Sequence, residues 1–113
     1  DEWPDADRTA ELRRHLQSVM STDAGVLRNA EGLIRCARVV DETLAAVGGP
    51  TLDGAGRRID TAHVEVRNLA EIARVLVAAA LARTESRGTH ARSDFVATDP
   101  SQARRLVVGT LAP

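Results

Sequence analysis

The chain has 113 residues, 43% of them hydrophobic and 27% charged, with a net charge of −1. These proportions are typical of one soluble globular domain with a modest core. Basic and acidic residues are interleaved, which argues against a nucleic-acid-binding protein. No apolar run approaches the ~20 residues of a membrane span, and the single cysteine excludes an intrachain disulfide. We therefore expect a cytoplasmic protein whose partners are neither nucleic acids nor membranes.

The first predicted helix follows Trp3-Pro4, because the residue before a proline is pushed out of helical geometry. Either Asp5 or Asp7 is expected to cap it, and the helix runs to about Met20. Its apolar stripe has the spacing i, i+4, i+7 and i+8 of an amphipathic helix. The residues of this stripe are Leu12, Leu16, Val19 and Met20.

The second predicted helix extends from about Asn29 to Val47, and Gly48-Gly49-Pro50 ends it. Cys36 falls within its apolar pattern and is predicted to be a buried, inert thiol. The residues predicted to face inward are Leu33, Ile34, Ala37, Val40 and Leu44.

The third predicted helix begins after a flexible connection at residues 50–60, with Thr61 as its N-cap. It ends near Ser86, and Gly88 lies just beyond as a candidate C-cap. Three amphipathic helices predict an all-α protein, an antiparallel three-helix bundle of the spectrin-repeat type with an irregular C-terminal tail. The residues predicted to face inward on this helix are Leu69, Ile72, Ala73, Leu76, Ala80 and Leu81.

The motifs with possible chemistry are weak. Gly54-Ala55-Gly56 lacks the third glycine and the preceding strand of a dinucleotide loop, so a linker is favoured. His63-Val64-Glu65 has no Pro-Cys-x-x-Cys partner, so solvent-facing helix residues are predicted instead of a zinc deaminase site. His15 and His90 have no metal-ligand spacing with His63. We therefore predict no catalytic, cofactor-binding or metal-binding residue.

A charged segment follows the third helix. Glu85, Arg87, His90, Arg92 and Asp94 occur together within ten residues. A solvated helix end would explain the glycine and one arginine, because a cation stabilises a helix C-terminus. It does not explain the whole group. Arginine forks suit carboxylates and carbonyls on a facing surface, so a docking surface for another domain is the favoured hypothesis.

The same segment, residues 85–94, resembles the Glu-Ser-Arg-Gly-x-His-x-Arg-x-Asp signature of the succinate dehydrogenase, fumarate reductase and L-aspartate oxidase flavoproteins. Residues 12–33 are similar to that family's Leu-Gln-x-x-Met and Gly-Val-x-Arg-Asn/Asp blocks. Val66-Arg67-Asn68-Leu69 and the alanine-rich run after it are similar to a third block. The resemblance covers about residues 10 to 106, and the order of the blocks is more specific than any one of them.

The resemblance implies that residues 1–113 are one helical domain, the C-terminal fragment of a larger flavoprotein. FAD and the catalytic residues then belong to upstream domains, so no cofactor is expected in this fragment. The implied partner is the flavin-binding domain of the same chain. The residues implied to dock on it are Glu85, Ser86, Arg87, Gly88, His90, Arg92 and Asp94.

Within the family, Thr98-Asp99-Pro100 and Arg105-Leu106-Val107-Val108 are more similar to the bacterial L-aspartate oxidase branch. That branch implies oxidation of L-aspartate to iminoaspartate for NAD biosynthesis. One alternative is the tail of a succinate dehydrogenase or fumarate reductase flavoprotein subunit. Another is a free-standing three-helix interaction module, which predicts a start codon near Asp1 and no exposed apolar face. The first residue is Asp, which favours a fragment.

Overall fold

The computed structural model describes residues 6–47 and 61–105. They form three helices, α1 (Ala6–Asp23), α2 (Ala30–Val47) and α3 (Thr61–Ala82), followed by a short 3₁₀ helix at Pro100–Gln102. All three helices pack against one another, and the described residues contain no β-strand. The predicted all-α three-helix bundle with an irregular C-terminal tail is confirmed.

The core is a stack of three layers, each built by residues of α2, of α3 and of α1 or, in the third layer, of Ala24 directly after α1. Residue numbers rise from layer to layer in α1 and α3 and fall in α2. Therefore α1 and α3 run parallel and α2 runs antiparallel between them. The layers are Leu12, Val47 and Val66; then Leu16, Val40, Ala70 and Ala73; then Ala24, Leu33, Cys36, Val77 and Ala80.

The start of α2 agrees with its prediction. Asn29 precedes the helix, and its side-chain Oδ1 accepts a hydrogen bond of 2.8 Å from the Gly32 amide, as an N-cap does. Helix α1 also lies close to Gly32, since a Cβ there would lie 3.1 Å from Asp23 Oδ1. Arg35 donates to the Asp23 carboxylate at 2.9 and 3.3 Å, which ties the two helices together beside this contact.

The ends of α1 and α3 differ from the predicted ones. Helix α1 continues to Asp23 instead of ending near Met20, and Asp7 lies inside its first turn instead of capping it. Helix α3 ends at Ala82, four residues before Ser86, so that prediction was wrong. Three sequence predictions concern residues outside the described ranges. They are the alternative cap Asp5, the helix stop at Gly48-Gly49-Pro50, and the connection at residues 50–60 with Gly54-Ala55-Gly56.

Four predictions of burial were wrong. Ile34, Ile72 and Leu76 are 50%, 65% and 40% exposed, although their spacing predicted an inward position. His63 is fully buried, although it was expected to face solvent. It lies three and seven residues before Val66 and Ala70, so it shares their face of α3. Cys36 is buried, as predicted.

Candidate functional site

Residues 83–105, which we call the charged cap, fold back over the end of the bundle where α3 stops. The cap pairs with the α1–α2 connection through a short parallel bridge between Arg28 and Arg92. The Arg28 amide donates to the Ala91 carbonyl at 2.8 Å, and the Ser93 amide donates to the Arg28 carbonyl at 2.7 Å. The cap therefore contacts the end of α3 and the link between the other two helices.

Arg92 is the buried centre of the cap, with 2% of its surface exposed. Its Nη1 donates to the Ala80 carbonyl at 2.9 Å and to the Arg83 carbonyl at 3.2 Å. Ala80 belongs to the last turn of α3 and Arg83 directly follows the helix, where carbonyls have no partner within the helix. A guanidinium at this position also stabilises the negative end of the helix dipole. Arg92 thus serves as the C-terminal cap of α3.

The Asp94 carboxylate places a negative charge at the N-terminus of α2. Both of its oxygens accept from Arg92 at 2.8 Å, in a bidentate pair. Its Oδ2 also accepts from the Ala30 amide at 3.0 Å, at the positive end of α2. The bonds from Arg92 and from Ala30 hold the pKa of Asp94 well below its usual range. The pair joins the end of one helix to the start of another.

Glu85 forms a second buried centre, and none of its surface is exposed. Its Oε2 accepts from Arg83 at 2.6 Å and from Arg87 at 3.0 Å, and its Oε1 accepts from the Asp99 amide at 2.7 Å. The bond from Arg87, with those from Asp99 and Arg83, lowers the pKa of Glu85 to about 2 against the opposing effect of burial. The carboxylate is ionised and its two oxygens are occupied.

His90 connects the ends of α1 and α3. Its Nε2 lies 2.9 Å from the Arg83 carbonyl, and its Nδ1 lies 2.9 Å from Nη1 of Arg28. A carbonyl only accepts and a guanidinium only donates, so this geometry fits a neutral ring with its proton on Nε2. Arg28 Nε in turn donates to the carbonyls of Ala24 and Gly25, just after α1.

Ser86 and Gly88 shape the backbone of the cap. The Ser86 hydroxyl donates to the Phe95 carbonyl at 2.8 Å and accepts from the Arg92 amide at 2.9 Å. Gly88 has φ of +59°, and it occupies the first central position of the tight turn from Arg87 to His90. A type II′ turn requires that conformation. Gly88 is therefore a turn residue and not the helix C-cap for which it was a candidate.

The structure links six of the seven residues of the predicted docking set by hydrogen bonds, and the seventh, Gly88, lies in the turn between Arg87 and His90. It buries Glu85 and Arg92, so these two support the surface without forming it. Arg87 keeps 36% of its side chain exposed, and Gly88 and Thr89 are exposed at the tip of the turn. A partner would meet this tip. Whether a partner docks there stays a prediction.

Four residues of the network were missed at the sequence level. Arg83 Nη1 and Nη2 donate to the carbonyls of Gln102 and Arg104 at 2.7 and 2.6 Å. Asp99 caps the 3₁₀ helix through the Ser101 amide at 2.9 Å. An aspartate before Pro100 is a recognisable helix-start signal. No comparable sequence signal marks the missed contacts of Arg83, Arg28 and Gln102.

The described residues contain no group of three or more His, Cys, Asp or Glu side chains that could hold a metal ion. No helix within residues 6–47 and 61–105 is long and apolar enough to cross a membrane.

The sequence model of a family described as "Fumarate reductase flavoprotein C-term" matches residues 13–108. The chain belongs to this family. The predicted family resemblance is therefore confirmed, and the charged cap lies within the part of the chain that the family model covers.

Relatives of at least two names are similar to the chain. The chain is 45% identical over 96 residues to an L-aspartate oxidase of Mycobacterium leprae, covering 85% of the chain and 16% of that protein. It is 36% identical over 102 residues to an L-aspartate oxidase of Rhodospirillum rubrum, covering 90% of the chain and 31% of that protein. A fumarate reductase flavoprotein subunit of Mycobacterium tuberculosis is 32% identical to the chain over 95 residues, covering 79% of the chain and 16% of that protein. The chain spans less than a third of each relative. No solved structure is significantly similar to it.

Proposed function

We propose that this chain is the C-terminal helical domain of an FAD-dependent L-aspartate oxidase, a cytoplasmic enzyme of NAD biosynthesis. In this proposal the domain has no catalytic residue and docks on the flavin-binding body of the same polypeptide. The body binds FAD, which accepts a hydride when L-aspartate becomes iminoaspartate. No residue of this chain is assigned to the flavin.

The observation that carries the proposal is the 45% identity to an L-aspartate oxidase across 85% of the chain. A further L-aspartate oxidase, from Caulobacter vibrioides, is 42% identical over 81% of the chain. The fumarate reductase subunit of Mycobacterium tuberculosis reaches 32%. Higher identity to the oxidases favours their branch of the family.

The bonding of the charged cap supports a non-catalytic role. A general acid or base must reach the substrate with a free proton or lone pair. In the cap, both Glu85 oxygens are bonded within the chain and both His90 nitrogens lie within 2.9 Å of other groups of the chain. The Ser86 hydroxyl is bonded to backbone. These groups hold the fold together and leave little capacity for chemistry.

The docking part of the proposal rests on the exposed tip of the turn. Arg87 donates to Glu85 and to the Asp99 carbonyl, so its position is fixed before any partner arrives. Gly88 and Thr89 project beyond it and are exposed. A rigid tip with a cation beside it suits a carboxylate or carbonyl on a facing surface.

The test uses Thr89→Glu in the full-length protein, because Thr89 is exposed at the tip. We expect the substitution to lower the amount of FAD retained after gel filtration, since it places a negative charge in the interface. Urea unfolding of the 113-residue chain should be unchanged, because surface substitutions usually alter stability by less than ~0.5 kcal/mol. Thr22→Glu, at an exposed position on α1, is the matched control.

Equal FAD retention by Thr89→Glu and by unsubstituted protein would contradict docking through the tip. The substrate is tested separately, by bleaching of the flavin absorbance in unsubstituted protein. Bleaching by L-aspartate supports the oxidase. Bleaching by succinate alone would assign the chain to the second candidate, a succinate dehydrogenase or fumarate reductase flavoprotein subunit, which its similarity to a fumarate reductase subunit favours.

A free-standing interaction module fits the structure less well. That hypothesis predicts a helical bundle without an exposed apolar face. Ile72 and Leu76 are 65% and 40% exposed on α3, one turn apart. Their exposure favours a domain of a larger protein.

A further inference from the structure

An apolar groove runs between the two parallel helices α1 and α3. It has a volume of about 440 Å³ and lies along the middle of the bundle. Ile72 and Leu76 are its most exposed apolar residues. The groove is lined by Leu16, Gln17, Met20, Ser21, Leu69, Ile72, Ala73 and Leu76.

The apolar residues of this groove have the spacing of a helix-packing surface. Leu69, Ile72 and Leu76 are spaced i, i+3 and i+7 on α3, and Leu16 and Met20 are spaced i, i+4 on α1. Two parallel rows of this kind form the ridges and the intervening groove into which another helix packs. The strip continues outward to Val75, which lines an adjoining apolar depression with Ile72 and Leu76.

Polar groups border the apolar strip. Arg13 of α1 and Glu65 of α3 form an ion pair of 3.7 Å, one turn before Leu16 and Leu69. Gln17 and Ser21, both exposed, follow along the α1 side. An apolar centre with a polar rim is the usual anatomy of a protein–protein interface.

We infer that the groove between α1 and α3 binds an amphipathic helix of the flavin-bearing body, which completes a four-helix arrangement. This inference rests on the proposed function, which supplies the body. The share of the relatives' length that lies outside this chain supports that occupant: the chain covers 31% of the oxidase of Rhodospirillum rubrum and 16% of that of Mycobacterium leprae. Most of each relative therefore lies elsewhere, where it can supply an apolar helix.

The groove differs from the tip of the charged cap in the partner that it selects. The tip offers a fixed cation beside a turn, whereas the groove offers aliphatic side chains without charge in its floor. Apolar burial supplies most of the affinity in such a surface, and polar contacts supply orientation. The groove is therefore expected to be the main source of affinity between the domain and the body.

The experiment places the photo-crosslinker p-benzoylphenylalanine at position 72 of the full-length protein, followed by peptide mass spectrometry. Ile72 is 65% exposed, so the larger side chain fits without disturbing the core. The control places the same group at position 38, where Arg38 is exposed on α2. We expect position 72 to crosslink to one segment of the flavin-bearing body, and position 38 not to crosslink to that segment.

Three results would overturn the inference. They are crosslinks that join two copies of the protein, crosslinks to residues 106–113 of this chain, and the absence of any crosslink in excess of the control. If the crosslinker at position 72 displaces the body, FAD is lost, and position 17 then reports on the same groove from the α1 side. Flavin bleaching by L-aspartate in unsubstituted protein tests the proposed function independently, so the two can fail separately.

Discussion

The charged cap and the apolar groove differ in whether their side chains already have partners within the chain. In the cap, Glu85 and Arg92 are buried, and their charged groups bind carbonyls, amides and oppositely charged side chains of the same chain. In the groove, Ile72 and Leu76 present aliphatic side chains to water with nothing described above them. The most distinctive residues of a sequence can thus complete a fold, while ordinary aliphatic residues are left to meet a partner.

The largest expected effect comes from Arg92→Met, which removes the buried cation of the cap. The Asp94 carboxylate and the last carbonyls of α3 would lose their partner. Breaking such a pair reduces the free energy of unfolding by roughly 3 kcal/mol. Urea unfolding followed by circular dichroism measures the change, with Arg38→Met, at an exposed position, as the control. A loss equal to that of the control would mean that the cap contributes nothing to stability.

A smaller, pH-dependent effect is expected from Glu85→Gln. The pKa of Glu85 is lowered to about 2, from 4.5, so its ionised form stabilises the folded state above pH 4.5. That contribution falls as the pH drops from 4.5 towards 2. Urea unfolding at pH 7 and at pH 3 should therefore show a difference between Glu85→Gln and unsubstituted protein that shrinks at the lower pH. A difference that stays constant across this range would contradict the role of the charge.

Gly88→Ala tests the backbone of the cap alone. A Cβ at this position would meet no atom within 4 Å, so only the positive φ opposes the substitution. A left-handed conformation costs a residue other than glycine about 1 kcal/mol. Thermal unfolding should show this loss for Gly88→Ala and almost none for Thr89→Ala, the next residue of the turn. Equal melting temperatures for the two variants would argue against the type II′ turn.

The smallest effect is expected in the groove. Ile72→Ala removes exposed methyl groups, so the free energy of unfolding of the 113-residue chain should change by less than ~0.5 kcal/mol. Val77→Ala, on the buried side of the same helix, should cost about 2 kcal/mol because it leaves a cavity. If Ile72→Ala destabilised the chain as much as Val77→Ala, the groove would already be filled by a part of this chain.

Helix number and direction could be predicted from the sequence, because α1 and α2 have clear apolar stripes and turn residues between them. The face that α3 buries could be predicted only in part: Ala73 and Ala80 are buried as predicted, whereas Ile72 and Leu76 are exposed. Apolar residues surround α3 on almost all sides, so two stripes compete. Half of the buried residues of α3 are alanines, Ala70, Ala73 and Ala80, at positions where α3 packs against two helices. Ile72 and Leu76 are larger and more apolar than these alanines, and they were therefore wrongly predicted to face inward.

The residues of the candidate site could be predicted from the sequence, but their contacts could not. Its residues lie within one short segment, so their types and order are visible in the sequence. Their partners are not, because Arg28 lies 62 positions from His90 and Ala30 lies 64 positions from Asp94. Such pairs depend on how the helices pack. The same limit applies to His63, whose burial follows from the packing of α3.

The long-range bonds of the charged cap also have a kinetic consequence. They join residues 62 to 65 positions apart, through His90, Asp94 and Ser93. Closing so long a loop is unfavourable until α2 and α3 have already docked. We therefore expect the cap to form after the rate-limiting step of folding. Substitutions such as Arg92→Met should then accelerate unfolding while leaving the folding rate almost unchanged, so the cap determines how long the folded domain persists.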